Sequence, residues 1–598
     1  MVMHWNRHHG HSAGLLVLLL VLLGLATGCD DAAKKQPGAK GSASAAKTAA
    51  PAPAAAKTLV DLKAPAGVIA FGGVDNLSQL LGDVAKAGSG LIPPNAVSPE
   101  VVLAGAQETL GLTSTDAIDL TKPIRVLVVD PKANPEPVVV TVSTKGKDKI
   151  VAAMPADKKA DDEGNAFSFK SKLGKQTYVN FIGDTVVVSL DKGAFKAQKA
   201  FLTELVNAKL PGGAAVVGSV ANMVTLYGAD IDKGLDEAKG AIGEAAKAGA
   251  GGPGAIQASQ VEGIVAVMDW FKATVKELDK VVVESKLGTD GGMLTFQLHP
   301  KKGSEVEKTF KQLKGKSLTL LGKLPADSPA FFAGVLDPDT ASELTQRLVT
   351  WSLTMGAGGA EIPEKYITGM ADYWKATTGE FVLAAHPAVE GKGLALTGLM
   401  GLRDSAKAQE LMKLLAEMYK EPTIAASYKE QGMTMDFKPD AYKVGDVSVS
   451  TMKVTMTKGM AELGPIAPLI EDMLTTHTAL GKDLGYLTYG KAGKATLEAF
   501  MNGKVSGGLD KAPAAVRGLK NAAPNTFFLM CGAPVDIAKG IHFGGKNPLA
   551  EKLADAPASK TALCSSMGQK EGVLYLTMDV PVEQAKAIGQ LVALIDQL

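Results

Sequence analysis

The chain has 598 residues, 46% of them hydrophobic, which is enough for two to four domains with sizeable cores. Its 63 Lys and Arg are balanced by 62 Asp and Glu, so it lacks the basic excess of a nucleic-acid-binding protein. Arginine is scarce after Cys29, which disfavours an enzyme of phosphorylated ligands, because such sites rely on bidentate guanidinium groups. The arginines that remain there are Arg125, Arg347, Arg403 and Arg517.

The first 28 residues combine a polar start with one apolar stretch. Met1–Gly14 contains Arg7, four histidines and no acid, and Ala13–Leu25 is apolar. A membrane-spanning helix needs about 20 apolar residues, so this shorter stretch is typical of a cleaved secretory signal. It ends in Leu25-Ala26-Thr27-Gly28-Cys29, where small residues directly precede a cysteine.

That ending resembles the lipobox of bacterial lipoproteins, with Ala26 where the motif more often has Leu. The resemblance implies removal of the signal peptide, residues 1–28, and acylation of Cys29, palmitate included. It also implies attachment to the bacterial cell envelope, facing the periplasm. Asp30 is similar to the inner-membrane retention signal of enteric bacteria, but the choice between inner and outer membrane stays open. The alternative is ordinary secretion with an incidental cysteine.

Residues 29–57 have the composition of a linker. They are rich in Ala, Lys, Pro, Ser and Gly, and they hold no aromatic or large aliphatic side chain. Such a segment cannot bury enough apolar surface to offset the entropy of ordering it. We predict a disordered linker that holds the folded body away from the membrane.

From residue 58 on, one sequence pattern recurs four times. Each copy has a short apolar run and a helix-start signal, and later a turn, an apolar strand and an amphipathic helix. A long copy precedes a short one twice, which indicates a duplicated half. The predicted halves are 58–322 and 323–598, with sub-repeats at about 58–209, 210–322, 323–520 and 521–598.

The predicted fold is α+β, built from duplicated β-α-β-β-α units. Strands joined by tight turns favour mostly antiparallel sheets, as with Val282–Leu287 and Met293–Leu298 around Thr289-Asp290-Gly291-Gly292. Because each sheet must bury one apolar face, we expect helices to cover one face of each sheet.

The Ala- and Gly-rich stretch Asp230–Gln260 differs from the repeats. We predict a mobile helical insertion there, with a membrane-contacting amphipathic helix as the alternative. Its part Gly249–Gly254 has the glycine spacing of dinucleotide-binding loops, but no strand precedes it and it includes a proline, so no nucleotide site is assigned. Trp270 and Trp374 lie in apolar helical segments and are expected in the core.

Cys531 and Cys564 each lie in a short apolar run that predicts a strand. In the oxidising compartment implied for an exported protein they are candidates for a disulfide, and two buried thiols are the alternative. With His542 as the only close histidine, these cysteines cannot complete a tetrahedral metal site. We therefore predict no metal and no cofactor.

The histidines after Cys29 are scattered, at His299, His386, His477 and His542. No two have the helical spacing of metal ligands, and neither His-Glu-x-x-His nor Gly-x-Ser-x-Gly occurs after Cys29. The sequence therefore predicts no catalytic residue. A serine–histidine–aspartate site assembled from distant segments is the remaining alternative.

Together these features predict a lipid-anchored, non-catalytic envelope protein that acts as a scaffold or binds another envelope component. The general layout is similar to that of large uncharacterised bacterial lipoproteins of duplicated α+β domains, a resemblance that assigns no site residue. One alternative is a carrier or sensor of lipids or other apolar ligands, and another is an unrecognised hydrolase. The expected partners are the membrane, through acylated Cys29, and envelope proteins or lipids, but no nucleic acid.

Overall fold

The described residues form two compact units of helices and antiparallel strands, which confirms the α+β class. The first unit contains residues up to Leu226 with Asp279–Gln297 and Val580–Val582, and the second contains Tyr227–Leu278, Leu298–Asp579 and residues from Glu583 on. The predicted signal peptide, the linker up to residue 56 and His542 lie outside the described residues. The computed structural model describes residues 57–87, 97–161, 166–171, 174–248, 258–346, 363–389, 393–430, 432–457, 467–541 and 548–595.

The first unit is organised around one sheet. Its described strands are β1 (Val68–Val74), β2 (Ile124–Val129), β3 (Val138–Ser143), β4 (Lys159–Ala160), β5 (Ala166–Lys170), β6 (Gln176–Ile182), β7 (Thr185–Ser189), β8 (Ala214–Gly218), β9 (Leu278–Gly288) and β10 (Gly291–Pro300). They pair in the order β4-β5-β6-β7-β3-β2-β1-β8-β9-β10. Every neighbouring pair from β4 to β9 is antiparallel.

The second unit has a sheet of the same kind. Its described strands are β11 (Ala330–Val335), β12 (Thr377–Pro387), β13 (Leu394–Leu402), β14 (Met433–Val444), β15 (Val447–Met456), β16 (Thr475–Leu480), β17 (Leu484–Tyr489), β18 (Thr526–Gly532), β19 (Leu563–Lys570) and β20 (Val573–Pro581). They pair in the order β14-β15-β16-β17-β13-β12-β11-β18-β19-β20, always antiparallel. This order is that of the first unit with ten added to every strand label.

Helices join the strands at matching places in the two units. Those whose bounds are described are α1 (Leu77–Ala87), α2 (Pro99–Leu110), α3 (Lys147–Ala153), α4 (Lys192–Asn207), α5 (Val220–Ala248), α6 (Ala258–Lys276), α7 (Glu305–Gln312), α8 (Glu364–Lys375), α9 (Ser405–Met418), α10 (Pro422–Glu430), α11 (Ala467–Met473), α12 (Gly493–Met501), α13 (Pro513–Lys520), α14 (Pro534–Gly540), α15 (Pro548–Lys552) and α16 (Val582–Ile595). For example, β7 leads through α4 to β8, and β17 leads through α12 and α13 to β18.

The first sheet is packed on both faces. On one face Phe71 and Leu127 belong to a buried cluster with Leu202 of α4, and on the other Ile124 belongs to a cluster with Leu81 of α1. The prediction of helices on one face is therefore wrong for this unit. The cause is visible in β7, whose five residues are all buried, because a strand that is apolar on both sides needs cover on both sides.

One face of the second sheet is covered over its central strands. Phe331, Leu399 and Leu529 pack there beneath Leu321 and Ala515 of the overlying helical segments. On the opposite face, α8 and α9 cover β12, β13 and β16 through a smaller apolar cluster. The members of that cluster are Tyr373, Ala376, Met400, Leu402, Ala408, Met412 and Leu480.

Arg125 of β2 is buried in the first unit, with 1% of its surface exposed. Its side chain donates hydrogen bonds to the carbonyl oxygens of Val74, Ile124, Leu205 and Ala208. It also forms a salt bridge of 2.7 Å with Asp75. Leu205 and Ala208 lie at the C-terminal end of α4, where backbone carbonyls have no partner within the helix. Arg125 therefore binds the end of α4 to the end of β1.

We predict that Arg125→Met lowers the free energy of unfolding by about 3–5 kcal/mol, because buried carbonyl oxygens lose their donors and Asp75 loses its partner. The matched control is Arg403→Met at an exposed position, which should change the free energy by less than about 0.5 kcal/mol. Urea unfolding followed by circular dichroism measures both variants. Equal midpoints for the two would contradict this role of Arg125.

Candidate interaction surfaces

His386, one of the predicted candidate histidines, is 1% exposed in the second unit. Its Nδ1 lies 2.8 Å from the carbonyl oxygen of Pro387, and its Nε2 lies 2.9 Å from Thr397 Oγ1. Because a carbonyl oxygen only accepts, Nδ1 carries the proton and Nε2 accepts from the Thr397 hydroxyl. Burial lowers the pKa of His386 below 6.5. The neutral ring is satisfied on both sides and has no access to a substrate.

His477 lies on β16, with its Nδ1 3.0 Å from the hydroxyl oxygen of Tyr442. Burial lowers the pKa of this histidine as well. Neither His386 nor His477 forms a hydrogen bond with a carboxylate among the described residues, whereas a catalytic triad needs one to orient the imidazole. The hydrolase alternative therefore gains no support from these two rings.

Two small pockets lie in the described part of the chain. One, lined by Leu112, Phe169 and Val179 among others, has a volume of about 20 Å³. The other, between α9 and β14, has a volume of about 50 Å³. Small-molecule sites usually measure roughly 300–1,000 Å³, so neither pocket has room for an acyl chain. Within the same residues, no three His, Cys, Asp or Glu side chains group as they would around a metal ion.

Cys531 of β18 and Cys564 of β19, the pair proposed from the sequence, are directly opposite in the sheet and joined by a disulfide with an S–S distance of 2.09 Å. Gly518 of α13 lies against the bond, and a Cβ atom there would lie 2.7 Å from both sulfur atoms. Beside them, Arg517 donates to both carboxylate oxygens of buried Asp579, at 2.8 and 2.9 Å. This cluster is buried and fixes α13 on the sheet.

The opposite face of the same strands is apolar and partly open to solvent. One row across it, from β11 to β20, consists of Phe332, Met530, Ser565 and Met578. Phe528 belongs to the next row. Its ring packs edge to face on that of Phe332, with 4.7 Å between the ring centroids. Met530 is 50% exposed and Met578 is 42% exposed. This surface is named the Phe–Met face, and it consists of Phe332, Phe528, Met530, Met567 and Met578.

Helices α5 and α6 form an antiparallel pair held by salt bridges. Lys239 Nζ lies 2.5 Å from Asp269 Oδ1. Asp232 pairs with two lysines, through Oδ2 with Lys276 Nζ at 2.9 Å and through Oδ1 with Lys272 Nζ at 3.2 Å. The hydrogen bond from Lys276 is the main reason that the pKa of Asp232 is lowered. Asp269, Lys272 and Lys276 therefore define the side of α6 that faces α5.

The other side of α6 exposes large apolar side chains. Val267 is 39%, Trp270 67% and Phe271 55% exposed. Residues three and four apart lie on one face of a helix, so these three form a continuous group, named the aromatic patch. The prediction that Trp270 lies in the core is wrong, because helical spacing shows which residues share a face but not whether that face is covered. Trp374 is half-buried and contacts Phe381.

Neither surface can be assigned by comparison with known proteins. No family model, no curated protein and no solved structure matches this chain. Among the helices that the structure describes, none has the length and apolar character needed to cross a bilayer. Cys29, the predicted lipidation site, lies outside the described residues.

We predict that Gly518→Ala lowers the free energy of unfolding by roughly 1–3 kcal/mol, because its Cβ overlaps both disulfide sulfurs. Gly234→Ala is the matched control, since a Cβ there meets no atom within 4 Å on α5. That control should stabilise the protein by about 0.5–1 kcal/mol. Thermal unfolding measures both changes. A stabilised Gly518→Ala variant would show that the sulfur contact is absent.

We predict that stability falls as the pH drops below about 6.5. The unfolded chain protonates His386 there, whereas the folded protein keeps the ring neutral because burial lowers its pKa. Urea midpoints at pH 7.5 and pH 5.5 measure the effect. His386→Gln should reduce the loss on acidification, and an unchanged loss in that variant would assign it to other groups.

Proposed function

We propose that this chain is a lipid-anchored, non-catalytic protein of the bacterial cell envelope that binds another envelope component through the Phe–Met face. Its anchor would be acylated Cys29, exposed as the new N-terminus after removal of residues 1–28. The lipobox-like sequence Leu25–Cys29 supports this part of the proposal. The body would face the periplasm, an oxidising compartment in which a disulfide such as Cys531–Cys564 persists.

The binding role is carried by one observation, the exposure of Met530 and Met578 beside the aromatic side chains of Phe332 and Phe528. Contiguous apolar surface on a folded protein marks interaction sites. Methionine adapts its shape to a partner, and both methionine and phenylalanine are enriched in the cores of protein interfaces. A broad sheet face of this composition suits a protein partner rather than a small ligand.

We further infer that the two units descend from one ten-strand module by duplication within the chain. Their identical strand order supports this inference, as do helices at matching positions. The proposed halves are 58–322 and 323–598, and the boundary falls between β10, which ends at Pro300, and β11, which begins at Ala330. Duplication would leave one copy free to acquire a binding surface.

We predict that a photoreactive p-benzoylphenylalanine in place of Ser565, between Met530 and Met578, forms a cross-link to an envelope protein in intact cells. Met530→Gln together with Met578→Gln should abolish this product, because the exposed apolar contact is lost while the length of the side chains is kept. Immunoblotting of irradiated cells measures the cross-linked species. The same photoreactive residue at exposed Lys570, on the same strand, should give no such product.

The matched control for the double variant is Met473→Gln, at a methionine that is 38% exposed on α11. It should leave the Ser565 product unchanged. A product that survives Met530→Gln with Met578→Gln would overturn the Phe–Met face as the binding surface. Anchoring is tested separately, since labelled palmitate should enter the wild-type chain and not a Cys29→Ala variant.

A further inference from the structure

The aromatic patch on α6 is distinct from the Phe–Met face and has its own geometry. Trp270 is the most exposed of the large apolar side chains that the structure describes. Salt bridges from Asp232 and Lys239 of α5 lie on the other side of α6, so the patch faces away from α5. An exposed Trp and Phe side by side indicate a contact with something outside the chain.

The size of the patch limits what that contact is. A large aromatic side chain buries roughly 150–250 Å² when it is covered, so Val267, Trp270 and Phe271 offer on the order of 300–400 Å² at their present exposure. A stable protein interface buries about 800 Å² on each partner. The patch is therefore too small to hold a protein partner by itself.

A small patch is sufficient when the protein is already held at the surface that it contacts. For a tethered body the second contact is effectively intramolecular, so a weak interaction is populated. The 27 residues between Cys29 and Lys57 span at most about 95 Å, which confines the body to the neighbourhood of the bilayer.

We propose that the aromatic patch rests on the lipid bilayer that holds the acyl chains of Cys29, with Trp270 and Phe271 at the level of the headgroups. This proposal rests on the anchoring described under the proposed function. Tryptophan is the side chain most typical of the membrane–water interface, where its apolar ring and its N–H are both accommodated. Lys239, Lys272 and Lys276 lie between α5 and α6, away from the patch, and are paired with aspartates, so the contact depends on apolar burial rather than on anionic lipids.

The test uses the purified acylated chain reconstituted into phosphatidylcholine vesicles that carry bromine on the acyl chains close to the headgroups. Trp351→Phe and Trp374→Phe leave Trp270 as the fluorophore, because Trp5 belongs to the removed signal peptide. We expect bromine to quench Trp270 emission. Phe271→Asp should abolish the quenching, and high salt should leave it unchanged because screening does not weaken apolar burial.

The matched control is Val516→Asp, at an exposed apolar position on α13, which should leave the quenching intact. Unquenched Trp270 in a chain that is acylated and bound to vesicles would overturn the proposal. The proposal would also be overturned if Trp270 emission shifts to the blue with rising protein concentration but is not quenched by bromine, since a second protein copy would then cover the patch.

The two measurements distinguish an error in the anchoring proposal from an error in the patch proposal. A chain that incorporates no labelled palmitate refutes the anchoring alone. The contact between the aromatic patch and the bilayer is then tested with the same unacylated chain and brominated vesicles at millimolar lipid. Under these conditions Phe271→Asp must still reduce the quenching of Trp270. An acylated chain whose Trp270 stays unquenched refutes the patch and leaves the anchoring intact.

Discussion

Strands that are apolar on both sides have to be covered on both sides, and most of the structure follows from this requirement. In the first unit the central strands are covered on both faces, because α4 packs on one face of the sheet while α1 packs on the other. Arg125 makes this arrangement possible, since it satisfies the carbonyl oxygens where α4 ends against the sheet. A charged side chain in the core is stable here because its donors are matched by buried acceptors.

The second unit meets the same requirement only in part. Helices α8 and α9 cover one end of the outer face, whereas the strands β11, β18, β19 and β20 keep apolar side chains partly in solvent. The two exposed surfaces differ in kind. The Phe–Met face is carried by a paired sheet and has adaptable methionines, while the aromatic patch is carried by a single helix held through salt bridges. We propose different contacts for them, an extended protein surface in one case and an interface with lipid in the other.

Local signals in the sequence were sufficient where apolar runs flank a tight turn. The strands predicted at Val282–Leu287 and Met293–Leu298 are confirmed as parts of β9 and β10, which pair with each other. The hairpin of β14 and β15 was missed, although Met433, Met435 and Phe437 alternate with polar residues as they do in a half-buried strand. The roles of Arg125 and Trp270 could not be predicted from the sequence for another reason. Arg125 binds residues 50 to 83 positions away, and the exposure of Trp270 depends on which helix face meets α5.

The covalent link between Cys531 and Cys564 also determines the outer side of the sheet. Successive residues of a strand point to opposite faces, so joining these cysteines on the inner face places Met530 opposite Ser565 on the outer one. A slip of one residue would turn Met530 inward and bring Cys531 to the surface. The bond excludes that misalignment permanently. Oxidation in the proposed compartment therefore decides not only how stable the sheet is but also which side chains it displays.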